Sequence, residues 1–239
     1  MKGIFVTGTD TEVGKTVITG LLGKYLLDKG YNVITQKWIQ TGCPNTLASD
    51  VKLHLKIMRR DKNDLDGYTR FISPYVFKVP CSPHLASQIE NKIINPDKIK
   101  KSFKLLSRYF DFTIAEGIGG VLVPFNKKSL VIDIVKELDL TVLVVAQNKL
   151  GAINHTLLTI EALEKRKIKI LGIIFNNPKK EDKRILQDNP FIIKALANQK
   201  VFGILPWIED YDRLYRRFIP MGNKIYKSLC LGTVPLGFQ

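Results

Sequence analysis

Short runs of uninterrupted apolar residues recur along the chain, separated by stretches whose apolar positions return every three or four residues. GIFVT (3–7), YNVITQK (31–37), FDFTIAE (110–116), LTVLVVAQ (140–147), IKILGIIFN (168–176) and KVFGILP (200–206) read as strands. Helical patterns separate most of them. The clearest is 16–29, where Val17, Leu21, Leu22, Tyr25 and Leu26 share a face before Gly30 stops the run; 130–138 and 153–166 follow suit. Strands apolar on both faces and alternating with helices predict an α/β fold, a mainly parallel sheet flanked by helices on both faces.

Ligands of such sheets sit outside the carboxyl ends of the strands. Here those ends are Thr7 to Thr11, Lys37, Glu116, Gln147 with Asn148, Asn176 with Asn177, and Pro206, nearly all polar or glycine-flanked. Residues 38–96 carry turn signals, including two prolines in VPCSPH, without repeats or a linker. The pattern weakens after Trp207, and the ending LGTVPLGFQ is expected to be poorly ordered. The chain of 239 residues therefore reads as one domain, 1–239, with a weakly assigned tail from about 210.

Composition removes several classes. With 45% hydrophobic and 25% charged residues the chain fits neither a disordered nor a collagen-like protein. No apolar run is long enough to cross a bilayer and no signal-peptide pattern opens the chain, so a cytoplasmic location and no membrane partner are expected. Cys43, Cys81 and Cys230 are far apart and form no CxxC pair, which suits reduced thiols. The net charge of +15 would favour any polyanion, yet the basic residues are scattered through IKKSFK, KKEDKR and RLYRR. Compositional bias is the preferred reading over a nucleic-acid partner.

VTGTDTEVGKT (6–16) carries the most specific chemistry. It places a glycine-rich turn between a strand and a helix and ends in Gly-Lys-Thr. Backbone N–H groups in such a loop converge on a phosphate, the helix terminus adds partial positive charge, and the lysine reaches the terminal phosphates. Thr16 is then placed to bind Mg²⁺. Thr9 stands where the first glycine of the motif is usual. A metal there needs hard oxygen ligands, and Asp50 and Glu116 are the candidates. Asp50 reads equally as an ordinary residue at a helix start, with Ser49 or Asp50 as the cap. Lys37 at a strand end is either solvated or a cation for developing phosphoryl or carboxylate charge.

The same segments, with QKWIQTG, SD at 49–50, SPYVF, PCSPH, EGIGG, KLGAINH, NN at 176–177 and LPW at 205–207, give a chain that resembles the dethiobiotin synthetase family from residue 3 to about 208. That resemblance implies ATP- and Mg²⁺-dependent carboxylation and ring closure of 7,8-diaminononanoate with CO₂ or bicarbonate. It implies Lys37 and Lys15 as the catalytic cations, and Thr16, Asp50 and Glu116 as the metal ligands. Glu12, Val13, Gly14, Lys15, Thr16 and Val17 would cradle the phosphates of ATP, with Gly117, Ile118 and Gly119 nearby. Asn176, Asn177, Leu205, Pro206 and Trp207 would bound the adenine, and Thr11, Lys37 and Thr41 would face the diamine.

Gly151, Ala152, Ile153 and Asn154 would hold the substrate carboxylate from the other subunit, which implies a homodimer. His54, His84 and His155 are expected to be structural, since the reaction needs no imidazole. The chain departs from the family at Trp38, where a proline is common, at Ile118, where alanine is usual, and at Thr41, where serine is frequent. Two other classes compete: a related ligase such as a corrinoid-side-chain amidase, and a partitioning ATPase acting as a switch on DNA or membrane. The latter usually carry an additional lysine early in the loop, where this chain has Thr9, Asp10, Thr11 and Glu12.

Overall fold

The computed structural model describes residues 2–65 and 67–230. Six parallel strands form the main sheet: β1 (Lys2–Gly8), β2 (Val33–Lys37), β3 (Phe112–Glu116), β4 (Thr141–Gln147), β5 (Ile170–Asn176) and β6 (Val201–Leu205). Their order is β6-β5-β4-β1-β3-β2, so β1, which feeds the glycine loop, runs between β4 and β3. Each expected strand is present, with ends shifted by one or two residues.

The continuous apolar runs are buried on both sides, and alternate residues go to opposite cores. Phe5, Ala115, Val142 and Val144 face one layer, which contains helices α5 (Pro96–Tyr109), α6 (Val131–Glu137), α7 (Ala152–Lys165) and α8 (Lys183–Ala197). Ile4, Val6, Ile114, Leu143 and Val145 face the other, built from α1 (Lys15–Asp28) and α9 (Tyr211–Cys230). A third, smaller cluster joins Ile34 to Val51 and Leu55 of α2 (Ser49–Met58). Among the described residues between α2 and α5 the elements are short, α3 (Thr69–Ile72) and α4 (Pro83–Ile89) among them.

One helix runs against expectation. The supposed weak tail contains the 20-residue α9, which buries Leu214, Phe218, Met221 and Ile225 at helical spacing against α1 and the sheet. The expected disorder of LGTVPLGFQ lies outside the described residues. Val17, expected on the core face of α1, is half-buried: it packs at the edge of that core and also lines a cavity.

The packing of α2 on α1 decides where Asp50 goes. A Cβ at Gly20 would stand 2.9 Å from Ile57 Cδ1, so the missing side chain is what lets α2 come this close. No helix among the described residues is long and apolar enough to cross a membrane.

Candidate active site

The loop after β1 turns through Glu12 and Gly14, both with positive φ, before α1 starts at Lys15. Gly14 is required at its position twice over. Its φ of 101° is left-handed, and a side chain there would collide with the amide of Asn176. That amide donates from Nδ2 to the Val13 carbonyl at 3.0 Å, tying the end of β5 to the loop. Lys15 folds back along the loop, donating from Nζ to the Asp10 carbonyl at 2.7 Å.

Beside the loop, Lys37 closes β2 and Glu116 closes β3 at paired positions of the two strands. The Lys37 ammonium is 2.8 Å from Glu116 Oε1 and 2.6 Å from Asp50 Oδ2, and it donates to the Gly117 carbonyl at 2.8 Å. Thr16 Oγ1 donates to the same Glu116 Oε1 at 3.0 Å. Thr16 of α1 and Lys37 of β2 thus converge on one buried carboxylate.

Asp50 reaches the cluster because it stands in the first turn of α2, whose N-cap is Ala48; neither Ser49 nor Asp50 caps the helix. The helix-cap reading of Asp50 therefore falls, because its carboxylate is engaged by Lys37.

These groups line a cavity of about 470 Å³. Of the expected residues it gathers Thr11, Glu12, Gly14, Lys15, Thr16, Val17, Lys37, Thr41, Asp50, Glu116, Ile118 and Gly119. Gln40, which sequence reasoning passed over, lines it too and accepts from the Asp50 backbone N–H at 3.3 Å.

Val13 and Gly117 are not part of this lining; the Gly117 carbonyl accepts from Lys37, and the Val13 carbonyl accepts from Asn176. Asn176, Asn177 and Leu205 to Trp207 lie outside this lining. The Asn177 N–H donates to the Leu205 carbonyl at 2.9 Å, and its side-chain oxygen accepts from Asn148. Gly151 to Asn154, at the start of α7, are also elsewhere. Farther along α7, His155 and Leu158 line a second cavity of about 330 Å³ together with Thr9, Asp10 and Leu122.

Two departures from the family pattern have simple outcomes. Trp38 turns into the core, its ring 4.5 Å from that of Phe5 and its Nε1 donating to Gln36 Oε1 at 2.9 Å. Thr41 still reaches the cavity, so the bulk of Trp38 is absorbed by packing. Ile118 is itself part of the cavity wall.

Of the three histidines expected to be structural, His54 is fully buried with Nε2 2.7 Å from Glu116 Oε2. Its spacing of one helical turn from Asp50 was the available signal.

The charges tune one another. Burial alone would push the Glu116 carboxyl up, but the Lys37 ammonium and the His54 hydrogen bond outweigh it and hold the group well below the usual carboxylate range. For Lys37, burial pulls down, while Glu116 and Asp50 pull harder and keep it above its ordinary value. Lys15 has weaker partners. Burial, and then repulsion from Lys37, lowers it to about 8. The site therefore combines a firmly charged lysine with a second whose charge is poorly compensated, an arrangement suited to receiving added negative charge.

Comparison with known proteins gives the family and the fold. A family model described as AAA domain matches residues 2–214. The chain is 44% identical over 177 residues to ATP-dependent dethiobiotin synthetase BioD 2 of Haemophilus influenzae, covering 73% of this chain and 91% of that protein. It is 38% identical over 213 residues to the BioD synthetase of Chlorobaculum tepidum, covering 87% of each.

Among solved structures, pNOB8 ParA bound to nonspecific DNA superposes with a TM-score of 0.59 at 14% identity, covering 97% of this chain and 99% of that one. The MinC:MinD cell division complex of Aquifex aeolicus gives 0.57 at 16%, covering 100% and 99%. Those likenesses establish a shared phosphate-loop fold and nothing of DNA or division. The sequence likeness goes further, at 38–44% identity over most of the chain: the chain belongs to the ATP-dependent dethiobiotin synthetase family.

Proposed function

We propose that the protein forms dethiobiotin from 7,8-diaminononanoate, CO₂ and MgATP. The observation that carries this reading is the pair of buried lysines, Lys15 and Lys37, on one cavity with Thr16, Asp50 and Glu116. One amine of the substrate adds to CO₂ and loses a proton, giving a carbamate. A carbamate oxygen then attacks the γ-phosphorus, the bond to ADP breaks, and a carbamic-phosphoric anhydride forms. The neighbouring amine attacks its carbonyl carbon and gives up a proton to the departing phosphate, and a five-membered urea closes. Carbamates are poor electrophiles bearing a negative charge, so Lys37 beside the carbamate and Lys15 on the phosphates lower the cost of the transfer.

Oxygen donors at Thr16, Asp50 and Glu116 suit Mg²⁺. Among the described residues no three His, Cys, Asp or Glu side chains cluster as a ready-made metal site. That fits an ion drawing most of its ligands from phosphate and water. When bound, Mg²⁺ would neutralise charge on the β- and γ-phosphates. Glu12 to Val17 would cradle those phosphates, and Asn176, Asn177 and Leu205 to Trp207 would bound the adenine. Thr11 and Thr41 would face the diamine.

Gly151 to Asn154 would bind the substrate's aliphatic carboxylate in the site of a second copy, through N–H groups at the start of α7. A homodimer is supported by Leu122 and Leu158, both more than half exposed on the second cavity next to the loop. A cytoplasmic location, with no nucleic-acid or membrane partner, completes the reading.

Phosphate release from MgATP, with and without 7,8-diaminononanoate and bicarbonate, tests it, with mass spectrometry for the cyclic urea. Release that depends on the diamine and yields dethiobiotin is expected. Diamine-independent hydrolysis would reject the reaction and favour a switch ATPase, whereas a response to a carboxylate and an ammonia donor would favour the amidase.

A further inference from the structure

The two oxygens of Glu116 meet different surroundings. Oε1 accepts from Thr16 Oγ1 and Lys37 Nζ, and both of those residues line the cavity. Oε2 meets Nε2 of His54 at 2.7 Å, and His54 is not part of the cavity wall. The other ring nitrogen, Nδ1, is buried with no hydrogen-bond partner among the described residues. A histidine kept only to bolt helices together has no reason to direct its one polar contact at a functional carboxylate and leave its second nitrogen bare. Since a carboxylate only accepts, the bonding proton is on Nε2.

We propose that His54 is a positioning residue for Glu116: it grips Oε2 from the closed side and keeps Oε1 presented to the cavity, where the nucleotide-bound cation would be met. This deepens the reading above and rests on it for the cation. His54 and Asp50, one turn apart on α2, act as a matched pair, one holding Glu116 and the other Lys37. Without the imidazole, Oε2 has no donor in a dry pocket, and the carboxylate is free to rotate away from the orientation that its other partners share. Such outer partners commonly set the affinity of a metal ligand they never let the metal touch.

The test is a magnesium titration of the binding of a fluorescent ATP analogue, with no diamine present, alongside each variant's melting curve. His54→Leu fills the ring's space without a donor, and His54→Gln restores an N–H. Loss of the donor is expected to raise the magnesium concentration at half-saturation about ten-fold or more, with His54→Gln recovering most of the difference.

A His54→Leu protein that melts earlier but keeps the wild-type magnesium half-point overturns the proposal and leaves His54 a packing residue. Equal shifts in the two variants overturn it as well, as does wild-type ATP binding that ignores magnesium. Should His54→Leu not fold, His54→Asn takes its place with the same outcomes, its shorter amide stopping short of Oε2. A wild type that binds the magnesium nucleotide but makes no cyclic urea would reject the reaction while leaving the role of His54 intact.

Discussion

Lys37 and Glu116 are opposite one another on neighbouring parallel strands, and their side chains close a 2.8 Å ion pair that is almost wholly sealed from water. Strand register thus sets the pair's geometry, and side-chain rotation has little freedom to change it. Burying a charge is tolerable only with such partners, and each member here has more than one. The pair links the central sheet to the candidate chemistry.

Lys37→Gln removes the charge while keeping an N–H donor near Glu116. Affinity for MgATP is expected to stay near wild type while kcat falls by about 100-fold or more, the scale for losing one preorganised group on developing charge. Equal losses of nucleotide affinity and turnover would take Lys37 out of that role. Steady-state kinetics beside nucleotide binding separates the two.

Glu116→Gln leaves the buried Lys37 with Asp50 as its remaining carboxylate. Breaking a buried pair this way costs about 3 kcal/mol, so a lower melting temperature is expected. A raised magnesium requirement should accompany it. An unchanged magnesium titration would remove Glu116 from the metal site, whatever the melting point.

The lowered Lys15 gives a pH signature. Its folded value of about 8 lies below the ordinary 10.5, so between them the unfolded chain holds more protons. This group therefore adds stability to the nucleotide-free protein as pH rises through that window, and its penalty is constant below it. Phosphate oxygens would raise the value again. ATP binding at about pH 9 should take up a proton that binding near neutrality does not, measurable by calorimetry in buffers of different ionisation heat.

Trp207 offers an optical test of the adenine assignment. It is 44% exposed, with Lys179 Nζ 4.7 Å from its ring centroid, whereas Trp38 is fully buried. Adding ATP should change tryptophan emission in the wild type and leave Trp207→Phe silent. A response that survives in Trp207→Phe would move the adenine away from the segment 205–207.

Leu158→Asp places a charge on the exposed apolar face beside Thr9 and Asp10. Light scattering should report loss of the dimer, and diamine-dependent turnover should fall while ATP binding persists. A dimer that withstands the substitution would put the interface on another face.

The strands were legible because residues buried on both faces of a parallel sheet leave unbroken apolar runs. Helix α9 was overlooked although Leu214, Phe218, Met221 and Ile225 keep helical spacing, because RLYRR and Pro220 dilute the pattern with charge and a breaker. The convergence of Thr16, Lys37, Asp50 and Glu116 on one cavity followed from motif and resemblance together. Contacts between distant segments were not readable. His54 meets a carboxylate 62 positions away, and Asn176 grips a carbonyl 163 positions back. The one-turn spacing from Asp50 and the strand-end position marked the two residues, but neither signal names the distant partner.

The grip of Asn176 on Val13 has a kinetic meaning. A glycine-rich loop left to itself samples many shapes and must surrender them when a phosphate arrives. Here the end of β5 already clamps the loop just before the helix begins, and only a glycine at position 14 leaves room for the clamp. Little freedom remains to be lost on capture. On the proposed function the receptor is set before its guest, and what nucleotide entry would still have to undo is the hold of the Asp10 carbonyl on Lys15.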